Sequence, residues 1–545
     1  MKLKRITTGV ALFLVIVLTF SFKSDFFEIA KQLEIYNAVF KELNKYYIDD
    51  INPAETTSIA INKMLKDLDP YTHYFDEQTA EDAKIKARGS YGGIGASSSF
   101  KNKRLIIKEV YENTPASKTG LKAGDEIVKI DDVWVKDFEG EAINSLLKGL
   151  PNTKVKLVIK RDNQELEKTI TRETIEIDPV PFHKMIDDEV GYIAFIKFNK
   201  KASKRVKEAY EDLKDEGMKK LIIDVRGNPG GLLNEVIKIV NYFVPKDQVV
   251  VTTKAKVKKW SSIYKTRQEP IDLEIPIVVL INGRSASASE ILSGSLQDLD
   301  RGVVMGERSF GKGLVQRTRR LPYGTQMKLT IAKYYTPSGR CIQELDYTNR
   351  NKKTGVVPKF DKNNRNLFHT KAGRKVYDGG GVEPDVKLDR PDKTVATKAL
   401  FKSDAIFNFA LNYVRTHQDN IASPQDFTIT DSDYNRFVEF LKQKDTTFKT
   451  KAEKEFIKAY KKAKENKFDL AIQQQYTDLM QKFKDAKIQK ITINKEEIKE
   501  YISDEILKQK YFKKGMYINK FTHDPVIKKA TSLLHNSKKY NKILK

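Results

Sequence analysis

A continuously apolar segment, Ile277–Ile281, constrains the fold of this chain more than any other feature. A strand that is covered on both faces has no polar side, so it appears as an unbroken apolar run. From Val190 onward, similar apolar segments at 192–195, 221–225 and 303–305 alternate with stretches of helical pattern. This alternation is typical of an α/β core.

The rest of the chain has other patterns. Residues 26–47 carry apolar side chains every three or four positions, which predicts a long amphipathic helix that packs on its own domain or on a second subunit. A second helix is predicted over 59–68, before Pro70. We therefore expect an α/β multidomain protein with these segments: a signal peptide or membrane anchor (1–25), a helical region (26–89), an inserted β-rich module (90–175), the α/β core (176–390) and a lysine-rich helical extension (391–545).

The amino terminus has the pattern of an export signal. Lys2, Lys4 and Arg5 precede an apolar run from Val10 to Phe22. No small-x-small cleavage site follows the run, so removal as a signal peptide and retention as a membrane anchor both stay open. We expect a cell-envelope protein that is either periplasmic or anchored to the inner membrane and facing the periplasm.

The formal net charge of +26 does not select a partner, because a positive field attracts nucleic acid, anionic membranes and acidic proteins alike. Many lysines after residue 391 lie among apolar positions at helical spacing. We interpret them as the solvated faces of amphipathic helices, and we expect no nucleic-acid partner.

Two motifs mark the β-rich module. One spans 91–95, and the other runs from Thr114-Pro115-Ala116 to Gly124-Asp125. They resemble the carboxylate-binding loop and the helix-to-strand turn of a PDZ domain. In such a domain, N–H groups of a glycine-rich loop converge on a terminal carboxylate, and an exposed strand edge accepts the preceding residues of a peptide. The predicted peptide-binding residues are Tyr91, Gly92, Gly93, Ile94 and Gly95.

Chemistry is predicted where the segment Ile277–Ile281 leads into a helix. Ser285, Ser287 and Ser289 alternate at this junction. A serine there is exposed at the edge of the sheet, and the free N–H groups of the helix start can stabilise an oxyanion. Serine is also a preferred helix N-cap, so this segment alone leaves a nucleophile and a cap equally open.

The next strand leads to a lysine between two glycines, Gly311-Lys312-Gly313. The glycines allow the chain to approach closely, and an inward lysine that loses hydration can become neutral and accept a proton from serine. A phosphate-binding P-loop would need a hydroxyl at the position of Gly313, so we expect no nucleotide. This chemistry requires no metal and no cofactor.

The segment 279–316 resembles the carboxyl-terminal processing, or tail-specific, peptidase family. The runs Ser-Ala-Ser-Ala-Ser-Glu-Ile and Ser-Phe-Gly-Lys-Gly carry the similarity, which extends over about 35–388 because further motifs follow in the family's order. These motifs are Leu68-Asp69-Pro70, the PDZ-like module, Asp224-Val225-Arg226-Gly227-Asn228-Pro229-Gly230-Gly231, Tyr335-Thr336-Pro337-Ser338-Gly339 and Gly381-Val382-Glu383-Pro384-Asp385.

The resemblance implies a serine endopeptidase that cleaves envelope proteins recognised by their apolar carboxyl-terminal tails. It implies Ser287 as the nucleophile and Lys312, 25 residues later, as its base. Gln316 would orient the lysine amine. The N–H group of Ala288 and that of Gly230 or Gly231 would form the oxyanion hole.

Asp298 also matches a position of that family at which function is sensitive to change. Eleven residues along an unbroken helix would place it about 16 Å from Ser287, which is too far for a direct contact. We therefore expect Asp298 to support the structure around the site, through Arg301.

Two alternatives stay open. One is a noncatalytic PDZ scaffold that binds protein carboxyl termini, against which the intact Ser287, Lys312 and Gln316 argue. The other is a PDZ-containing protease with a Ser-His-Asp triad, although the six histidines lie far from the serines in sequence. The helical stripes also predict self-association, without fixing the number of copies.

Overall fold

A computed structural model describes residues 26–77, 79–80, 87–138, 141–361, 365–388, 391–417, 421–443 and 448–545. Within them, residues 26–77 and Gln316–Thr330 form one compact unit, and the others form a second. The predicted signal peptide or anchor, 1–25, lies outside the described residues. Among the helices of the described part, none is long and apolar enough to cross a membrane.

The first unit contains two helices that the sequence predicts. Helix α1 covers 26–46 and helix α2 covers Pro53–Lys66. Helix α2 begins before the expected residue 59, because the Asn52 side chain accepts hydrogen bonds from the N–H groups of Ala54 and Glu55. Strand β1, His73–Phe75, pairs antiparallel with residues 326–328.

The inserted module is a β-rich domain with its own apolar core, as predicted. Its strands are β2 (Ser90–Gly93), β3 (Ala96–Lys101), β4 (Arg104–Val110), β5 (Glu126–Ile130), β6 (Val133–Trp134), β7 (Lys154–Arg161), β8 (Gln164–Thr171) and β9 (Glu173–Glu176). The main sheet has the order β3-β4-β5-β7-β8, so β3 lies at its edge. Helix α3 (Pro115–Lys118) and the 3₁₀ segment Glu141–Leu147 complete the domain.

The second half of the chain forms the predicted α/β core. Its strands are β10 (Phe182–Met185), β11 (Val190–Ala194), β12 (Lys220–Asp224), β13 (Val249–Ala255), β14 (Ser262–Lys265), β15 (Ile277–Ile281), β16 (Val303–Gly306), β17 (Leu314–Arg320), β18 (Gln326–Tyr335), β19 (Leu367–His369), β20 (Lys375–Tyr377) and β21 (Val386–Lys387). Residues 316–320 of β17 and 326–330 of β18 belong to the first unit. Its helices are α4 (Ala202–Asp215), α5 (Leu233–Asn241) and α6 (Ala288–Asp298).

The central sheet of this core has the order β10-β11-β12-β15-β16-β21. Its strands are parallel from β11 to β21, and β10 is antiparallel to β11. Val206 of α4, Val236 of α5 and Leu292 of α6 pack on one face of the sheet, against residues that include Ile223 and Val279. Parallel strands end at the same edge, so the residues after β12, β15 and β16 meet there.

The lysine-rich extension is helical, as predicted; residues from Ala396 to Leu507 form an apolar cluster of their own, and its last helices pack on the core. Its helices are α7 (Val395–Phe401), α8 (Ala405–Thr416), α9 (Asp431–Gln443), α10 (Lys451–Glu465), α11 (Asp469–Ile491), α12 (Lys495–His523), α13 (Pro525–His535) and α14 (Ser537–Leu544). Ile527 of α13 and Tyr540 of α14 cover the second face of the central sheet, against Val278 and Leu280. The Tyr540 hydroxyl accepts a hydrogen bond from Ile277 N at 2.9 Å and donates to Ile277 O at 3.0 Å. Helices α4–α6 therefore pack on one face of the apolar strand β15, and the C-terminal helices α13 and α14 pack on the other.

Candidate active site

Ser287 lies at the turn between β15 and α6 with an unusual backbone. Its φ is 58° and its ψ is −114°. Residues with a side chain rarely adopt a positive φ, and such strain persists where the surrounding structure holds it, often at functional sites. The turn presents a partly exposed serine at the carboxyl edge of the sheet.

The two neighbouring serines are committed to the main chain. The buried Ser285 hydroxyl donates to Val225 O at 2.8 Å, and the buried Ser289 hydroxyl donates to Asn228 O at 2.9 Å. These bonds tie the turn to the segment after β12. Of the alternating serines, Ser287 is therefore the best placed to act as a nucleophile.

The glycine loop after β12 packs directly against Ser287. A Cβ atom built on Gly230 would lie 2.7 Å from Ala288 N and 2.9 Å from Ser287 Cβ. Gly230 also has a φ of 88°, so a side chain is excluded there for two reasons. The N–H group of Gly230 donates to Asn228 Oδ1 at 2.9 Å. Ala288 is the first residue of α6, and an N–H group at this position has no acceptor within the helix.

A buried carboxylate joins the serine turn to the lysine loop. Glu290 is 0% exposed, and its Oε2 accepts hydrogen bonds from Ser287 N at 2.7 Å and Lys312 N at 3.0 Å. Its Oε1 accepts from the Ser309 hydroxyl at 2.6 Å and from Gly311 N at 2.7 Å. Burial raises the pKa of Glu290 to about 7, against the lowering effect of these four donors.

The role of Glu290 was not predicted, although a sequence signal for it exists. Ser287-x-x-Glu290 is a capping-box pattern, in which the third helical residue reaches back to the N–H group of the N-cap residue. The bond from Ser287 N to Glu290 is this contact. The additional donors from the lysine loop are distant in sequence, so the pattern alone does not reveal them.

The glycines that flank Lys312 are required by close packing, as the sequence suggested. A Cβ on Gly311 would lie 2.6 Å from Glu344 Cβ, and a Cβ on Gly313 would lie 2.8 Å from Gln343 N. Lys312 itself is partly buried. The glycines thus allow the lysine loop to pack closely against Gln343 and Glu344, while Glu290 accepts hydrogen bonds from the main chain of this loop.

Asp298 lies at the far end of α6 from Ser287 and is buried. It accepts hydrogen bonds from the Thr336 hydroxyl, from Ser338 N at 3.0 Å and from Arg340 Nη2 at 2.7 Å. The expected partner Arg301 was wrong: its guanidinium donates to main-chain oxygens, including Phe243 O at 2.7 Å. Asp298 therefore anchors the segment 336–340.

Gln316 belongs to the first unit, unlike Ser287 and Lys312. Its Nε2 donates to Thr330 Oγ1 at 3.2 Å, and Thr330 Oγ1 donates to Asp69 Oδ1 at 3.2 Å. The proposed orientation of the lysine amine by Gln316 stays a prediction.

Several histidines are engaged elsewhere in the second unit. His183 contacts Asp212 at 3.1 Å, and His535 contacts Asp187 at 2.8 Å. His417 and His523 contact main-chain oxygens of Tyr413 and Gln425. None of these contacts involves Ser287, so they give no support to a Ser-His-Asp triad.

The predicted carboxylate-binding loop lies beside the edge strand β3. Tyr91, Gly92 and Gly93 belong to strand β2, whereas Ile94 and Gly95 form the turn before β3. Ile94 O accepts from Ala116 N at 2.7 Å, and Gly95 O accepts from Tyr111 N at 2.9 Å. A trans peptide directs each N–H group opposite to the preceding carbonyl, so the N–H groups of Gly95 and Ala96 point away from the segment 111–116.

The neighbouring 3₁₀ segment Glu141–Leu147 faces β3. The Ser98 hydroxyl of β3 donates to Asn144 Oδ1 of this segment at 2.7 Å. Burial, with the charge of Glu109 and the neighbouring Tyr111, raises the pKa of Tyr91. The domain therefore combines directed N–H groups with an edge strand, the two elements that a PDZ domain uses to bind a peptide terminus.

Comparison with known proteins places this chain in a family. Residues 189–354 match Peptidase family S41, 92–171 match the PDZ domain, and 396–534 match the C-terminal helical domain of a probable PDZ-protease. A carboxy-terminal-processing protease of Bartonella bacilliformis is 34% identical over 329 residues, covering 58% of this chain and 74% of that protein. A probable CtpA-like serine protease of Staphylococcus aureus is 34% identical over 311 residues, covering 56% of this chain and 61% of that protein.

Among solved structures, the chain is similar to a photosystem II D1 C-terminal processing protease at 27% identity and a TM-score of 0.37, over 65% of this chain and 86% of that one. The family assignment rests on the sequence relatives. Together with the S41 core and the PDZ domain, they show that this chain is a serine peptidase and belongs to the carboxy-terminal-processing protease family.

Proposed function

We propose that Ser287 and Lys312 form a catalytic dyad that cleaves peptide bonds by acyl transfer. The neutral amine of Lys312 takes the proton of the Ser287 hydroxyl as Oγ attacks the scissile carbonyl. The resulting ammonium gives this proton to the leaving amine, and water then releases the acyl group as a carboxylate. One observation carries the proposal: a single oxygen of Glu290 accepts hydrogen bonds from the main chain of both residues.

Main-chain N–H groups at the start of α6 would stabilise the oxyanion. Ala288 supplies the first of them. Gly230 packs against Ala288, but its own N–H group donates to Asn228. We therefore prefer Gly231 to Gly230 as the second donor.

We further propose that substrates are selected through apolar carboxyl-terminal tails. The N–H groups of Gly95 and Ala96 would bind the terminal carboxylate, and the preceding residues would extend β3 as an added strand. Polypeptides bound this way present unstructured chain to the peptidase core. The alternative of a noncatalytic scaffold has less support, because the relatives are named as proteases.

Tail recognition is expected to depend on Gly95 and to survive a matched change at Gly120. Gly95 has a φ of 81°, and a Cβ on it would lie 2.3 Å from Thr114 Cβ, so Gly95→Ala should distort the loop. Gly120 has a φ of 72° in the same domain with nothing within 4 Å, so Gly120→Ala controls for strain alone. We expect wild type and Gly120→Ala to prefer an unstructured substrate ending in leucine over one ending in aspartate by about tenfold in kcat/KM.

The Gly95→Ala variant should lose that preference. A further comparison uses the same apolar tail with an amidated end, which removes the carboxylate. Equal cleavage of the amidated and free tails by wild type would contradict recognition through the carboxyl terminus.

We propose that the protein lies in the cell envelope and associates with the membrane through its apolar N-terminal run.

We also propose that α1 packs on a second copy, because its apolar residues Phe26 and Leu33 are 75% and 59% exposed. In sedimentation of the detergent-solubilised full chain, Leu33→Lys should lower the apparent mass. Glu42→Lys, on the opposite side of α1, should leave it unchanged. Equal masses for both variants and wild type would contradict this contact.

A further inference from the structure

A buried ion pair joins the C-terminal helices to the glycine loop beside Ser287. The Arg226 guanidinium follows β12 and binds Asp224 at 2.6 Å through Nη2, while its Nη1 binds Asp524 at 2.8 Å. The side chains of Asp224, Asp524 and Arg226 are only 9%, 10% and 16% exposed. Solvent screens charges at such sites much less than on the surface, so each contact constrains the guanidinium strongly.

Arg226 is the first residue of a loop that carries Gly231, the second of the two proposed oxyanion donors. The next residue, Gly227, donates its N–H group to Asn282 Oδ1 at 3.0 Å. Asn228 O then accepts from Ala286 N at 3.0 Å, and Gly230 packs on Ser287. A displacement of Arg226 would therefore be transmitted to the segment 227–231 and to the serine turn.

Asp524 is itself held in place by the helix that follows it. It caps α13, and its Oδ1 accepts from Val526 N at 2.7 Å. Burial acts to raise the pKa of Asp524, but Arg226 and the Val526 N–H group lower it by more. The carboxylate that meets Arg226 is thus ionised and fixed to a helix that packs on the central sheet.

We infer that Asp524 is a positioning residue through which the C-terminal helices hold Arg226, and with it the loop 226–231, in register with Ser287. This inference rests on the proposed dyad and oxyanion hole. It gives the extension a part in catalysis in addition to its cover of the sheet. Asp224, at the end of β12, binds Nη2 of the Arg226 guanidinium, and Asp524 binds Nη1. Asp524 therefore fixes the side of the guanidinium that Asp224 does not contact.

The test is Asp524→Asn in the full chain. Asparagine is an N-cap of about equal strength and similar shape, so α13 keeps its cap while Arg226 loses a charged partner. Because the oxyanion hole acts in the transition state, we expect kcat on an unstructured protein to fall about 10- to 100-fold with little change in KM. Asp524→Glu, which keeps the charge, should recover part of kcat.

The control lies at the other end of the same helix. His535 pairs with Asp187 at 2.8 Å and is 43% exposed, so His535→Gln removes another contact between α13 and the core. We expect it to keep kcat within about twofold. Asp524→Ser, a second uncharged N-cap, replaces the asparagine variant should that variant misfold.

Each outcome decides the inference. Wild-type kcat in an active Asp524→Asn enzyme would overturn it and leave the proposed dyad standing. Equal losses in Asp524→Asn and His535→Gln would also overturn it, since they would indicate a general loosening of α13. Inactive wild type would remove the proposed function and this inference together.

Discussion

Replacing Ser287 by alanine is expected to lower kcat/KM for an unstructured protein substrate by at least about 10⁴-fold. The reaction loses the only hydroxyl of this turn that is not committed to a main-chain carbonyl, because Ser285 and Ser289 bond Val225 O and Asn228 O. Cleavage is measured by the release of fragments over time, with circular dichroism to confirm folding.

Ser293→Ala is the matched control for Ser287→Ala. Ser293 lies in the same helix and is buried, but its hydroxyl donates within the helix, to Ser289 O at 2.9 Å. Its removal should leave kcat/KM close to wild type. If activity survived Ser287→Ala but disappeared when another serine was replaced, the nucleophile would be that other serine.

Lys312→Ala and Lys312→Arg should each lower kcat/KM by about 10²- to 10⁴-fold, since a general base contributes an effect of this size. The arginine variant is the more informative, because a guanidinium keeps its positive charge at all working pH values and cannot accept the serine proton. Both variants keep the flanking glycines and the main-chain bond from Lys312 N to Glu290. Wild-type rates in either variant would place the base elsewhere and reopen the Ser-His-Asp alternative.

The serine turn and the lysine loop could be predicted from the sequence because their signals are local, whereas the choice of Ser287 among the three serines came from the resemblance to the peptidase family. A strand that leads through serines into a helix marks the turn, and a lysine between glycines marks the loop. The contacts of Glu290, which bonds to the main chain of both Ser287 and Lys312, are only partly predicted by the sequence. The capping box predicts its bond to Ser287 N, but not the bonds that it accepts from Ser309 and Gly311.

Long-range partners explain what the sequence could not supply. The apolar run Ile277–Ile281 predicted cover on both faces, yet Tyr540, which bonds Ile277, is 263 residues away. Asp298 was expected to support the structure through Arg301, but Arg340 binds it from 42 residues away, whereas the nearby Arg301 does not. Burial patterns therefore predict that a cover or a partner exists, and only the three-dimensional fold identifies it.

Substitution of Glu290 should lower activity strongly even though both residues of the proposed dyad, Ser287 and Lys312, are unchanged. Glu290→Ala leaves four donors in a buried site without their acceptor, and each such loss costs about 1–3 kcal/mol. Glu290→Gln keeps the shape but replaces one acceptor oxygen by a donor. We expect kcat to fall about 10³-fold in both variants, with a larger loss of stability in the alanine variant.

The pH dependence of stability tests the titration of Glu290. The pKa of Glu290 is about 7 in the folded protein and 4.5 without burial, so between these values the folded state holds a proton that the unfolded state has lost. Its contribution to stability is therefore complete below pH 4.5 and is lost as the pH rises through 7, a change of about 3 kcal/mol. Activity should change in the opposite direction, because only the ionised carboxylate can accept all four hydrogen bonds. Unfolding midpoints at pH 5 and pH 8 should thus differ less in Glu290→Gln than in wild type, and an unchanged difference would contradict this titration.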